Sequence, residues 1–287
     1  MTRTYGAQSM VAPLRRVMVR RPDATFGAAD PTRWHYTSRP DLSRARDEHA
    51  GFVRLLEQAG AEVLWHDQPL ADHADAIFVH DPVLVTDRGA ILLRMGKPLR
   101  EGEEAAIGTA LEAAGVPLLA RLSGEARAEG GDCLWLDERT LAVGLGFRTN
   151  AAGLAQLQAA LGPAVEVVPV QLPYDQGPEA CLHLMSLISM VADDLAVVYP
   201  PLMPVTFWEL LRARGVRMVE APAAEYAAMA TNVLALAPRQ CLMLDGNPVT
   251  RARLEAAGCT VLTYRGDEIS RKAEGGPTCL TRPVWRA

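Results

Sequence analysis

The sequence predicts an α/β fold in which five copies of one ββαβ unit close into a ring. Three observations carry that expectation. Five helix-like segments end on a glycine that leads into a short apolar strand, at Gly60, Gly115, Gly162, Gly215 and Gly258. Between them lie pairs of apolar runs separated by Asp, Gly or Pro, the residue types that turn a hairpin. The chain ends also look complementary: one strand is visible at 16–20, and the C-terminal run 278–285 supplies a partner for it. A linear array would need polar capping units at its ends, whereas closure removes exposed strand edges. An ordinary doubly wound sheet is the competing architecture. It alternates single strands with helices, and the hairpins fit it badly.

The units can be read along the chain in turn. The first has the strand at 16–20, a helical stretch ending at Gly60, and a strand through Val63 and Trp65. The second has apolar runs at 77–85 and 90–95 about Asp87-Arg88-Gly89, then a helix ending at Gly115. The third has runs at 133–136 and 141–144 about Asp137-Glu138-Arg139, with its helix ending at Gly162. The fourth pairs 184–190 with 195–199 about Asp193-Asp194 and ends its helix at Gly215. The fifth pairs 233–237 with 241–244 about Pro238-Arg239-Gln240 and ends at Gly258. Glycine just past a helix is expected, because that position prefers a left-handed backbone that a Cβ penalises. The whole chain, 1–287, reads as one domain.

With 49% hydrophobic and 22% charged residues, this 287-residue chain can build a sizeable core, which excludes disorder, collagen and a coiled coil as its main architecture. Its 29 basic and 34 acidic side chains leave a net charge of −5. Without a basic run, that is a poor basis for nucleic-acid binding. Lys97 and Lys272 are the only lysines; arginine supplies every other basic residue. The N-terminal stretch 1–8 lacks the apolar core of a secretory signal. No apolar run approaches the ~18 residues of a membrane span. A soluble, cytoplasmic protein is the expectation. The cysteines are Cys133, Cys181, Cys241, Cys259 and Cys279, an odd number with no Cys-x-x-Cys spacing. Neither a disulfide framework nor a four-cysteine zinc site is expected. Cys133, Cys241 and Cys259 read as core thiols.

In a closed ring, equivalent positions of all units face one axis, so unusual polar residues at equivalent positions should converge. The second unit offers Asp75 and Asp81, the third Glu129-Gly130-Gly131-Asp132, the fourth His183, and the fifth Asn232. The closing strand offers Cys279 after Gly275-Gly276-Pro277-Thr278. Taken singly, each has a plain structural reading, a satisfied core histidine or a turn. Together they form a nucleophile, a base and a cation-binding wall. A thiol of ordinary pKa ≈ 8.5 is only a few per cent thiolate at neutral pH, and a bound cation would favour the thiolate. Two carboxylates can hold a planar cation such as guanidinium through paired hydrogen bonds. Histidine suits proton delivery to a leaving amine and proton removal from water.

These motifs resemble the guanidine-modifying, or pentein, superfamily, and within it most closely the dimethylarginine dimethylaminohydrolase family. The resemblance runs over nearly the whole chain, through Val17-Met-Val-Arg-Arg-Pro, Asp75-Ala-Ile-Phe-Val-His-Asp-Pro, Glu129-Gly-Gly-Asp, Val143-Gly-Leu-Gly-Phe-Arg-Thr-Asn, Leu182-His-Leu, Glu225-Tyr-Ala-Ala-Met-Ala-Thr-Asn and Gly275-Gly-Pro-Thr-Cys-Leu. It implies a five-bladed ββαβ propeller, the pentein fold. It implies Cys279 as nucleophile, His183 as general acid and base, and Glu129, with them in the catalytic set, holding the guanidinium together with Asp81. Asp75 would meet a substrate α-amino group, Arg94 and Arg148 an α-carboxylate, and Asp132 would support the site from behind. The implied reaction is hydrolysis of a guanidino C–N bond through a Cys-thiouronium adduct, with no cofactor and no metal. The implied partner is a small guanidino compound, with neither nucleic acid nor membrane involved; a homodimer is left open.

Nω-methylated L-arginine is the preferred substrate on this reading, giving L-citrulline and methylamine or dimethylamine. Arginine deiminases and amidinotransferases usually carry Asp two residues after the histidine, where this chain has Met185. The preferred family has a carboxylate directly before Asp81, where this chain has His80. A deiminase-like hydrolase or an amidinotransferase acting on another guanidino compound is therefore the alternative. The segment 23–40, with Trp34-His35-Tyr36, is a lid candidate. Two rivals come from other classes. A zinc hydrolase could draw on His66, His73 and His80, although a spacing of seven does not place ligands reliably on one strand face. A non-catalytic binding module would require Cys279 to be inert.

Overall fold

The computed structural model describes residues 4–287; Met1 to Arg3, the start of the stretch scanned for a secretory signal, lie outside the described residues. Five three-stranded sheets form the five blades. The first holds β1 (Leu14–Val19) and β2 (Glu62–Trp65), joined through α1 (Ala24–Gly27), α2 (Pro31–Trp34) and α3 (Leu42–Gln58). The second is β3 (Val83–Thr86), β4 (Gly89–Leu92), α4 (Glu103–Ala113) and β5 (Leu118–Arg121). The third is β6 (Cys133–Asp137), β7 (Thr140–Leu145), α5 (Ala151–Leu161) and β8 (Glu166–Gln171). The fourth is β9 (Ile188–Ala192), β10 (Leu195–Val198), α6 (Val205–Ala213) and β11 (Arg217–Glu220), followed by the short α7 (Ala223–Tyr226). The fifth is β12 (Val233–Ala237), β13 (Gln240–Leu244), α8 (Pro248–Ala256) and β14 (Thr260–Tyr264). The last strand, β15 (Arg282–Arg286), completes the first blade.

In every blade the middle strand pairs antiparallel on one side and parallel on the other, as β4 does with β3 and β5. Strand β1 is the middle strand of the first blade, antiparallel to β15 and parallel to β2, so the expected closure of the two ends is present. The parallel pairings require crossovers, and the helices supply them. All five marker glycines take φ between +73° and +91°, the left-handed backbone expected past a helix end. On α3 the buried residues Ala45, His49, Phe52, Val53 and Leu56 recur at helical spacing. Phe52 packs on Tyr264 of β14 with ring centroids 4.9 Å apart. Complete burial of such a side chain stabilises by roughly 1.5–3 kcal/mol.

Three expected strands are shorter than the apolar runs suggested, for one shared reason. The run at 77–85 begins as a tight turn, Ala74–Ile77, and strand pairing starts only at Val83, after Asp81 and Pro82. The run at 184–190 opens with the turn Leu184–Ser186 before β9. The run at 278–285 is strand only from Arg282. Each apolar stretch is buried, so hydrophobicity alone did not separate strand from turn. In each case the turn delivers a polar residue to the entrance of the first strand of a blade.

Candidate active site

Those entrances meet. Asp81 precedes β3, the turn Gly130–Asp132 precedes β6, His183 precedes the turn into β9, Asn232 directly precedes β12, and Cys279 precedes β15. Close approach explains the glycines around them. A Cβ on Gly131 would run into the His183 ring, and one on Gly276 into the Asn232 side chain. The other glycine of each motif is crowded too, Gly130 by the His80 carbonyl and Gly275 by the Phe78 ring.

A cavity of about 620 Å³ opens at this junction. Asp75, Asp81, His183 and Cys279 line it, together with Lys97, Arg100, Arg127, Arg148 and Cys181. Trp34 and His35 from the 23–40 segment also line it, as does Glu179, and His35 Nε2 lies 3.5 Å from the Glu179 carboxylate. The lid candidate is therefore not a plain loop. It carries α1 and α2 and contributes to the cavity wall.

Glu129 lies beneath this wall, with no exposed surface. Its Oε1 accepts from the backbone N–H groups of Gly96 (2.7 Å) and Lys97 (3.2 Å) and from Arg148 Nε (3.0 Å). Its Oε2 lies 2.7 Å from His183 Nε2 and 3.0 Å from the Arg148 guanidinium. Asp81 accepts from Gly131 N (3.0 Å) and from Arg100 Nη1 (2.7 Å), while Arg100 also grips Glu103. Asp132 accepts from Thr149 Oγ1 (2.6 Å) and Leu184 N (2.9 Å), which fixes the turn that carries His183. Asn232 Nδ2 donates to Cys279 Sγ at 3.2 Å, and Thr278 N donates to the Asn232 side-chain oxygen at 3.0 Å. Asp75 accepts from Tyr36 Oη (2.8 Å) and Lys97 Nζ (2.6 Å).

The electrostatics follow from burial and these partners. Burial pushes the Cys279 thiol up to about 11 and Asp81 adds to the rise, while the Asn232 amide and His183 pull it down. Burial works against a charged His183, but Cys181, Asp81 and Asp132 outweigh it and hold the imidazole well above its ordinary value. Burial also opposes charge on Glu129; Arg148 and His183 overcome it and keep the group well below the carboxylate range. At Asp81, His183 and Arg100 likewise outweigh burial and lower the pKa. Burial dominates at Asp132, which rises to about 6. The Cys181 thiol lies 3.7 Å from His183 Nδ1. Desolvation opposes its ionisation, but His183 and Arg148 lower its pKa. The surroundings thus favour an imidazolium at His183, carboxylates at Asp81 and Glu129, and a neutral thiol at Cys279.

The structure gathers most of the sequence-derived residues. Cys279, His183, Asp81, Asp75 and Arg148 share the cavity, and Glu129 and Asp132 support it from below. Arg94, expected at a substrate carboxylate, does not line the cavity; its backbone pairs with Ala128. Met185 is buried in the apolar core with Leu134 and Ile188 and does not line the cavity either. Sequence reasoning missed Arg100, Lys97 and Cys181. Cys181 stands two residues from His183, and Lys97 is one of two lysines in an arginine-rich chain; both were visible signals. Cys133, Cys241 and Cys259 are buried core thiols.

The three histidines spaced by seven do not assemble. His66 and His80 are buried, and His73 bonds the carbonyls of Ala71 and Glu101. Among the described residues, the group that brings potential ligand atoms within 4.8 Å is Asp81, Glu129 and His183. Arg100 and Arg148 already neutralise both of its carboxylates.

The family described as N,N dimethylarginine dimethylhydrolase, eukaryotic, matches residues 33–286. The chain belongs to this dimethylarginine dimethylaminohydrolase family. A Streptomyces coelicolor protein named N(G),N(G)-dimethylarginine dimethylaminohydrolase is 30% identical over 272 residues, covering 94% of this chain and 96% of the relative. The fold matches dimethylarginine dimethylaminohydrolase from Pseudomonas aeruginosa solved with citrulline, at a TM-score of 0.76 and 22% identity over 94% of this chain and 98% of that one. It also matches an amidinotransferase of saxitoxin biosynthesis from Microseira wollei, at a TM-score of 0.80 and 18% identity over 98% and 97% of the two chains. The fold is the five-bladed propeller of the pentein superfamily. Dimethylarginine dimethylaminohydrolases and their deiminase relatives are hydrolases of C–N bonds in linear amidines, and the chain is an enzyme of this class. Among the described residues, no helix is long and apolar enough to cross a membrane.

Proposed function

We propose that the chain hydrolyses a C–N bond of an Nω-substituted guanidinium of the methylarginine kind, releasing an amine and a urea-type product. The observation that carries this reading is the convergence of Asp81, Glu129 and His183 within 4.8 Å beside a cavity that also exposes Cys279. Asp81 faces the cavity, and Glu129 becomes accessible once Arg148 leaves it. Paired acceptors of this kind fit a flat cation. The cation, placed beside Cys279, offsets the burial and the Asp81 field that keep the thiol protonated, and the thiol proton passes to solvent.

The Cys279 thiolate then forms an S–C bond to the guanidinium carbon. His183 gives its proton to the departing nitrogen as the C–N bond breaks, leaving a thiouronium on Cys279. The neutral imidazole takes a proton from water, whose oxygen adds to the same carbon. Breaking the S–C bond restores the thiolate and releases the urea-type product, whose oxygen-bound proton passes to solvent. For a free methylarginine this product is citrulline, with methylamine or dimethylamine as leaving group. Asp132 and Thr149 hold the turn bearing His183, so they position the general acid. Arg148, once off Glu129, is free to meet a substrate carboxylate. Arg94, outside the cavity, has no part in this scheme.

The test is a substrate panel of arginine, Nω-monomethylarginine, asymmetric dimethylarginine and agmatine, with ureido product and released amine both assayed. Methylamine or dimethylamine release supports the reading. Ammonia release from arginine alone moves the chain to the deiminase type. Cys279→Ser and His183→Gly should each abolish turnover, and retained activity in either would remove its assigned role.

A further inference from the structure

Lys97 is one of two lysines in the chain, and it stands in the cavity wall. Its Nζ lies 2.6 Å from Asp75 Oδ2, donates to the Trp34 carbonyl at 3.1 Å, and sits 5.1 Å from the centre of the Trp34 ring. The other Asp75 oxygen, Oδ1, accepts from Tyr36 Oη at 2.8 Å. Both side chains are largely enclosed, with exposures of 15% for Lys97 and 8% for Asp75. The backbone N–H of Lys97 is tied to Glu129, so its position is set by the reacting end of the site.

The carboxylate that would greet a substrate α-ammonium is thus already neutralised by an ammonium of the protein. A second ammonium on the same carboxylate would bring two like charges together in a poorly solvated wall. An anionic head group has the opposite prospect. Two of the three Lys97 ammonium hydrogens are engaged, which leaves one for a ligand. Arg127 also lines the cavity, and among the described residues its guanidinium has no hydrogen-bond or ion-pair partner.

We propose that the substrate is a guanidino carboxylic acid without a free α-ammonium, its head selected by the Lys97–Asp75 pair. This rests on the guanidino-hydrolase reading of the same cavity and names the class of molecule it takes. Two chemistries meet the description, a des-amino acid and an Nα-acylated amino acid, and the assay separates them.

The experiment compares kcat/KM of the wild type on three compounds with the same reacting end: Nω-methyl-L-arginine, its Nα-acetyl derivative, and 5-(N′-methylguanidino)pentanoic acid. At least one of the latter two should exceed the free amino acid by about tenfold or more. Whichever is faster identifies the head as acylated or des-amino. Lys97→Ala and Lys97→Met should reverse the order, gaining on the free amino acid because Asp75 is released and losing on the anionic heads. A wild type that prefers free methylarginine, or Lys97 variants with an unchanged order, would overturn the head-group inference and leave the hydrolase reading standing. If no compound is turned over, protection of Cys279 from 2-chloroacetamidine by 5-guanidinopentanoate against arginine decides head selection: stronger protection by the des-amino acid supports it, and equal or weaker protection overturns it. Failure of 2-chloroacetamidine to label Cys279 at all would remove the hydrolase reading and this inference with it.

Discussion

Arg148 rests on Glu129 as a flat two-point pair, with Nε 3.0 Å from Oε1 and a terminal guanidinium nitrogen 3.0 Å from Oε2. The carboxylate proposed to receive a substrate guanidinium therefore already holds one supplied by the protein. The geometry suits the cation, and a ligand must exchange with Arg148 to use it.

From this exchange we expect Arg148→Ala to bind free guanidinium ion about tenfold more tightly than the wild type, because one competitor for Glu129 is gone. Protection of Cys279 from alkylation by guanidinium, at constant ionic strength, measures the effect. Equal or weaker protection in the variant would show that Arg148 does not cover the subsite.

The proposed nucleophile, Cys279, should be a poor one without ligand. Burial and Asp81 hold Cys279 at about 11. Its alkylation by neutral iodoacetamide should therefore be slow at neutral pH and climb about tenfold per pH unit towards that value. A cationic haloamidine should react much faster at neutral pH, since it brings the charge that stabilises the thiolate. Peptide mass spectrometry must follow each cysteine separately, because Cys181 is exposed and its pKa is lowered. A Cys279 rate that levels off near neutrality would contradict the raised pKa.

Cys181 separates a positioning role from a nucleophilic one. It lies 3.7 Å from His183 Nδ1 and helps raise the histidine's pKa. Cys181→Ser should keep turnover within about tenfold, because the attacking thiol is untouched. Its alkaline limb should move to lower pH, because His183 loses a group that favours the imidazolium. Loss of all activity, with Cys279 still labelled by a haloamidine, would make Cys181 a participant in the chemistry.

Gly131 tests how tightly His183 is held. A Cβ at this position would overlap the imidazole ring. Gly131→Ala should lower kcat by about a hundredfold, since a displacement near 1 Å suffices for such a loss. KM should change less, because Asp75 and Lys97 are untouched. A variant with normal kcat would show that the ring can yield without cost.

The five blades were legible because each repeats a local signal: a helix end needs a left-handed residue, and all five marker glycines have that backbone. Ring closure was legible from a lone strand at each chain end. The inner boundaries were not. Residues 77–79 and 184–187 are about as apolar as the strands that follow, so hydrophobicity alone ran the strands on through them. Arg94 and Arg100 show a second limit. Both follow β4 and both carry the same charge, yet Arg94 pairs its backbone with Ala128 while Arg100 reaches Asp81 across 19 residues. A local signal holds Arg100 to Glu103 three residues on, but its reach to Asp81 follows from how the turns pack. The lysine scarcity, which supported no conclusion from the sequence alone, acquires meaning once Lys97 is seen on Asp75.

His80 offers a stability measurement at the edge of the same site. Its Nδ1 lies 2.9 Å from the Thr281 carbonyl oxygen, so that nitrogen carries the hydrogen and donates it. Nε2 is buried without a partner. Burial, reinforced by Arg282, lowers the pKa to about 3 from the ordinary value of 6.5. The folded state therefore resists a proton that the unfolded chain accepts. Stability from this group is complete above the unfolded value, declines as the pH falls below it, and is exhausted near the folded value. Within that window the slope is at most about 1.4 kcal/mol per pH unit. His80→Gln should lose less stability than the wild type on acidification from neutral pH to the middle of the window, each compared with its own neutral value by urea unfolding. If both proteins lose stability equally, His80 is not a source of the acid sensitivity, and its imidazole would have to be protonated in the folded protein beside Asp81.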